Sequence, residues 1–170
     1  HILRLLEWVS GARMLYNYVW IGGLFYDLPV GFEQRCRDFI NYFRPKVKEL
    51  ETILVDNKIF IGRTANVGVI PLDLAINSGI TGPMLRGSGI AWDLRKKQPY
   101  EVYDRVEFDI PVGTNGDSYD RYLVRMEEMR QSARIIAQCL DKMPSGAIIA
   151  DMPQYIPPPK PLVMRDMESL

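Results

Sequence analysis

Gly82-Pro83-Met84-Leu85-Arg86-Gly87-Ser88-Gly89-Ile90-Ala91-Trp92-Asp93-Leu94-Arg95-Lys96 reads as a loop, but an unusual one. Its glycines open backbone geometries closed to other residues. Arg86, Asp93 and Arg95 sit among Met84, Leu85, Ile90, Trp92 and Leu94. A flexible linker would be polar throughout. This composition describes a packed loop that fixes charged groups in place, and loops on rigid scaffolds often carry function.

The flanks define the scaffold. Before the loop, 57–70 reads as a connector with turns at Gly62 and Gly68, followed by a short helix from Pro71 to Asn77 that Gly79 closes. After it, Val106, Phe108 and Ile110 alternate with Glu107 and Asp109, the period of a half-buried strand. Asn115-Gly116 turns the chain, and a long helix starts at Asp117 or Ser118, both good N-caps. Its apolar stripe is Tyr122, Met126, Met129, Ala133, Ile136 and Leu140, and Pro144 and Gly146 end it. The proline-rich remainder, from Pro153 to Pro161, reads as an extended connector. Nearer the start, Phe32, Cys36, Phe39, Ile40, Phe43, Val47, Leu50 and Leu54 step by threes and fours, a continuous helical stripe that stays in phase across Pro45 and so implies a kink there. Ile2, Leu5, Leu6, Val9 and Tyr16 suggest a first helix, with Gly22-Gly23 ending that segment. The expected fold is a single domain over 1–170, mainly α with a small β element.

Composition narrows the function. The 170 residues are 47% hydrophobic and carry 21 basic and 21 acidic side chains, so no net field favours nucleic acid. No apolar run approaches the ~20 residues of a membrane span. Cys36 and Cys139 belong to no Cys-x-x-Cys pair, and His1 is the only histidine. No self-contained metal site, Ser-His-Asp triad or Cys-His pair can be built from this inventory.

The charged residues have local readings. Arg86, among glycines, can donate to backbone carbonyls through its planar fork, or meet an acidic group or a partner. Arg63-Thr64 is a second such candidate. Gly87-Ser88-Gly89 could form an anion nest, but lacks the lysine and spacing of a phosphate-binding loop. Asp93 and Arg95 suit an ion pair that pins the loop. Arg121 and Arg125, and likewise Arg130 and Arg134, stand four apart, where like charges repel unless carboxylates lie opposite.

The loop also resembles one family, and so does most of the chain, in order. Val9-Ser10-Gly11-Ala12-Arg13-Met14, Gly22-Gly23, Asp27-Leu28-Pro29, 57–68, 100–113, Gly116 to Leu123, Arg125 to Ser132, 135–144, Pro158-Pro159-Lys160 and Met167-Glu168-Ser169-Leu170 follow the pattern of the D-type subunit of proton-pumping NADH:quinone oxidoreductase, respiratory complex I. That family is a relative of the nickel-iron hydrogenase large subunit. The resemblance implies a central part of a longer polypeptide with a helical, hydrogenase-like fold. It implies no catalytic residue and no cofactor in this segment. NADH, FMN and iron-sulfur clusters belong to partners, and quinone is the substrate. The expected partners are the cluster-bearing B-type subunit and other peripheral-arm and membrane subunits. The expected location is the cytoplasmic side of the bacterial inner membrane, or the matrix side in mitochondria. Arg13, Met14 and Leu15 correspond to a segment that approaches the terminal cluster of the partner. The family usually has a titratable histidine where this chain has Leu15, and often an arginine before the Gly-Gly pair, where this chain has Trp20-Ile21. A membrane-bound nickel-iron hydrogenase large subunit, or a ferredoxin-dependent quinone reductase complex, would be the alternative readings.

Overall fold

The computed structural model describes residues 1–169; Leu170, the last residue of the family-like terminal run, lies outside them. The chain is mainly helical with one two-stranded sheet, as its pattern leads one to expect. It divides into two compact units, His1–Phe39 with Met143–Leu170, and Ile40–Lys142.

In the first unit, α1 (Ile2–Ser10) ends where Gly11 takes a left-handed conformation, φ 73°, and its N–H bonds Glu7 O. The helix therefore stops well before Gly22-Gly23. The small residues after Val9 let the chain leave the helix here instead of extending it. Gly22-Gly23 instead turn an antiparallel hairpin of β1 (Val19–Trp20) and β2 (Gly23–Leu24), paired Val19 with Leu24 and Trp20 with Gly23. The β element is thus at residues 19–24 and not at 106–110. α2 (Phe32–Leu54) begins in this unit, where Cys36 is buried, and runs on through Pro45. Trp8 of α1 lies against Phe32, and the Arg35 guanidinium stands 4.2 Å over the Trp8 ring. The proline-rich end is not wholly extended. Pro159 precedes a short turn of helix, α8 (Lys160–Val163), in which Pro161 occupies the first turn, a position where its missing N–H costs nothing.

In the second unit, Ile40 and Val47 of the α2 stripe are buried, while Leu50 is exposed. Residues 57–70 are not a plain connector. The Asn57 carboxamide accepts from the N–H groups of Ile59 and Phe60 and so starts α3 (Lys58–Thr64). α4 (Leu72–Asn77) follows Pro71 as expected. The Gly82–Lys96 run is also more ordered than a loop. It holds α5 (Gly82–Gly87), with Pro83 in its first turn, and α6 (Leu94–Lys97), capped by the Asp93 carboxylate.

α7 (Ser118–Asp141) is the longest element, and Asp117 caps it by accepting from Asp120 N–H. Val124, Met126, Ala133, Ile135 and Leu140 are its buried apolar residues. The expected Ile136 is exposed and Ile135 takes the core position, because the face is set by what α7 packs against and not by its own periodicity alone. Ile135 joins Val106 and Phe108 in a core cluster.

The alternation at 106–110 is real, with Val106 and Phe108 inward, but among the described residues no strand pairs with it. Glutamines on α7 satisfy its backbone instead. Glu107 N–H donates to Gln138 Oε1 at 2.8 Å, Gln138 Nε2 donates to Glu107 O at 2.7 Å, and Asp109 N–H donates to Gln131 Oε1 at 3.0 Å. A carboxamide carries the same donor and acceptor as a peptide group, so two side chains replace a ladder.

Candidate functional site

Arg13, Met14 and Leu15 lie together in the irregular segment between α1 and β1. Their side chains are largely exposed: Met14 at 85%, Leu15 at 83% and the Arg13 side chain at 88%. The Arg13 Nε–Glu7 Oε1 separation is 3.4 Å, a loose surface pair that contributes little. Arg13 thus lies beyond the left-handed Gly11 that closes α1, followed by two exposed apolar side chains. Tyr18 is the polar group of this segment nearest to burial. Its hydroxyl makes no hydrogen bond among the described residues, and burial followed by the charge of Asp27 raises its pKa.

The second group is in the other unit, and here the structure brings three of the expected residues together. Arg86 is buried. Its Nε and Nη2 reach Glu128 Oε1 of α7 at 2.6 and 2.5 Å, and Nη1 donates to Trp92 O at 2.8 Å. The fork therefore serves both a backbone carbonyl and a carboxylate. Asp93 and Arg95 form the ion pair expected of them, with Arg95 Nη2 2.7 Å from Asp93 Oδ2 and Nε 3.0 Å from Oδ1. The Arg95 guanidinium also lies 4.7 Å over the Phe108 ring and 5.7 Å over Tyr103. Burial pushes the Asp93 carboxyl up, but the hydrogen bonds and charge of Arg95, with the charge of Arg86, outweigh it and hold the group below the usual carboxylate range. Arg63 stands apart, exposed in the last turn of α3.

Gly87-Ser88-Gly89 does not form an anion nest. Ser88 N–H and Gly89 N–H donate to Leu85 O and Arg86 O, and the Ser88 hydroxyl donates to Ile70 O at 2.9 Å. The arginines of α7 have counterparts. Arg130 pairs with Glu51 and Glu127, and Arg134 with Asp109 and Glu107. Arg121 donates to Gly116 O, Gly68 O and Ser118 Oγ.

Glu128 and Asp120 were not singled out from the sequence, and Asp117 was legible only as a helix cap. Asp120 is buried and accepts from Thr114 N–H at 2.7 Å and Asn115 N–H at 2.6 Å, while Asp117 accepts from Asn66 N–H at 2.7 Å. Together they tie two connectors to the start of α7. Burial raises the Asp120 carboxyl, and the N–H donors of Asn115 and Thr114 more than reverse that, leaving its pKa low. An aspartate three residues into a helix gave a hint of capping, but its backbone partners are fixed only by the fold.

Among the described residues no three His, Cys, Asp or Glu side chains gather into a metal-ligand set. No helix there is long and apolar enough to cross a membrane.

The whole span 1–170 matches the family model described as respiratory-chain NADH dehydrogenase, 49 Kd subunit, and the chain belongs to that family. It is 66% identical over 148 residues to the first D-type subunit of the NADH-quinone oxidoreductase of Cytophaga hutchinsonii, a match covering 84% of this chain and 38% of that relative. The corresponding NADH-quinone oxidoreductase polypeptide of Chlorobaculum tepidum is 57% identical over 149 residues, covering 85% and 37%. That of Amoebophilus asiaticus is 55% identical over 150 residues, covering 85% and 37%. The chain thus spans 37–38% of the length of these relatives.

Proposed function

We propose that this chain is part of a D-type subunit that works in an NADH:quinone oxidoreductase complex. In that complex NADH and a proton reduce quinone to quinol, with electrons passing through a flavin and iron-sulfur clusters held by partner subunits and with protons moved across the membrane. The chain contributes no redox centre. Its role is to shape the quinone chamber and to set the charge beside the terminal cluster. The observation that carries this is the family match over every residue, joined to the exposed Arg13-Met14-Leu15 surface at one end of α1. The protein sits peripherally on the cytoplasmic face of a bacterial inner membrane, or the matrix face in a mitochondrion, against the cluster-bearing B-type subunit.

In this reading Arg13 supplies positive charge and hydrogen-bond donors toward the cluster. Net charge and hydrogen bonding set cluster potentials, and a nearby cation favours the reduced state. Leu15 supplies neither charge nor a titratable proton. The quinone is oriented by groups outside these 170 residues.

Arg13→Met in the assembled complex tests the reading. The expected result is a lower potential of the terminal cluster and slower quinone reduction, with NADH oxidation by an artificial acceptor retained. Unchanged potential in a fully assembled complex removes Arg13 from the site. Parallel loss of both activities with poor assembly assigns it a structural role.

A further inference from the structure

Segment 13–18 has neither helix nor strand, and is held from its two ends. On one side is α1. On the other is the hairpin: Phe25 N–H donates to Tyr18 O at 2.9 Å, Trp20 Nε1 donates to Asn17 O at 3.1 Å, and the Trp20 and Phe25 rings stack with centroids 4.2 Å apart. Within the segment, Tyr16 Oη returns to Arg13 O at 3.0 Å. The position of Arg13 is therefore inherited in part from a hairpin of two residues per strand. A hairpin that small is not stable alone in water.

It gains a third partner from the far end of the unit. Leu24 N–H donates to Ile148 O and Ala150 N–H donates to Gly22 O, each at 2.9 Å, and Gly23 forms an antiparallel bridge with Ile149. The fit leaves no room for side chains on the glycines. A Cβ on Gly23 would lie 2.1 Å from Ile148 O, and one on Gly22 would lie 2.5 Å from Ile156 Cγ1. Backbone contact at Gly23 cannot yield as a flexible side chain could.

We infer that Ile148–Ile156 is a strap that seats on the Gly22-Gly23 hairpin and so fixes the Arg13–Leu15 surface, making Gly23 and Ile156 positioning residues. The inference rests on the proposed role of that surface for its functional consequence, and on the hydrogen bonds and close approach for the strap itself. It gives the Gly-Gly pair a reason beyond turning the chain: the strap crosses where side chains would stand.

The test uses the full-length protein in the assembled complex, with Gly23→Ala, Ile156→Ala and the conservative Ile156→Val. Two readouts are taken: amide hydrogen exchange by mass spectrometry, and the terminal cluster potential by redox titration. Gly23→Ala and Ile156→Ala are expected to speed exchange at 16–25 by about tenfold or more, with α7 unchanged, because local opening is governed by local contacts. Both are expected to shift the potential in the same direction as Arg13→Met, and Ile156→Val to restore both readouts. Ile156→Ala adds no atoms, so it carries the test if the Gly23→Ala complex does not assemble. Exchange at 16–25 within about twofold of the parent in the alanine variants overturns the strap. So does faster exchange with an unmoved potential while Arg13→Met moves it. If Arg13→Met leaves the potential unmoved, the reading of the Arg13 surface fails instead, and the exchange readout alone decides the strap.

Discussion

Replacing Arg86 by methionine isolates the interaction that ties α5 to α7. Methionine keeps the length and apolar stem and removes both bonds to Glu128 and the donor to Trp92 O. The Arg86 and Glu128 side chains are 8% and 18% exposed, so water screens the pair little. Removing one member of a buried pair costs about 3–5 kcal/mol, mostly through the charge left behind. Glu128 keeps some solvent access, which places the loss near the lower end, about 3 kcal/mol. At about 1.4 kcal/mol per decade, opening of α5 should become roughly 100-fold more frequent. Amide hydrogen exchange over 82–89 in the assembled complex measures that directly. The double variant Arg86→Met/Glu128→Met should recover most of the loss, because no orphaned charge remains and only the Trp92 carbonyl lacks its donor, worth about 1 kcal/mol. Exchange over 82–89 within about threefold of the parent in the single variant would refute the reasoning, as would a double variant worse than either single one.

Asp120 should make the second unit acid-sensitive. Its folded pKa lies below the unfolded value of about 3.9, so its contribution is complete above about pH 4 and disappears as pH falls through the folded value. Asp120→Asn should loosen 113–116 by about 1–3 kcal/mol at neutral pH, and pH-dependent exchange should lose part of its acid limb; an unchanged limb would assign the sensitivity to another group. Leu15 cannot titrate, so the terminal cluster potential is expected to vary little with pH, and Leu15→His should introduce a slope between about pH 5 and 8. A steep slope in the parent complex would mean that a different group takes up the proton. Expressed alone, the 170-residue chain should associate, given exposed Leu3, Met14, Leu15, Ile59, Leu74 and Ile76; a monodisperse monomer with a sharp thermal transition would count against that expectation.

The amino-acid sequence by itself determined the elements whose cause is local. The α2 stripe through Cys36, Ile40 and Val47, the Asp117 cap that opens α7, and the Pro71 start of α4 all depend on residues within a few positions of one another, where helical period and capping chemistry decide. The Asp93–Arg95 pair was legible for the same reason, being two residues apart. Family membership was also legible, because an ordered match along the chain needs no coordinates.

Tertiary structure decided whatever depends on a partner far along the chain. Period-two alternation at 106–110 gave the correct inward residues, but not that Gln131 and Gln138 would take the place of a neighbouring strand. Composition marked Arg86 as buried and constrained, but not that Glu128, 42 positions away, would meet it. The Gly22-Gly23 pair between aromatic and β-branched residues was a hairpin signal that could have been read. That Ile148–Ile156 would lie across it could not. Close approach of two backbones selects glycine on one side and places almost no demand on the residue types of the other, so the strap leaves no pattern of its own in the sequence.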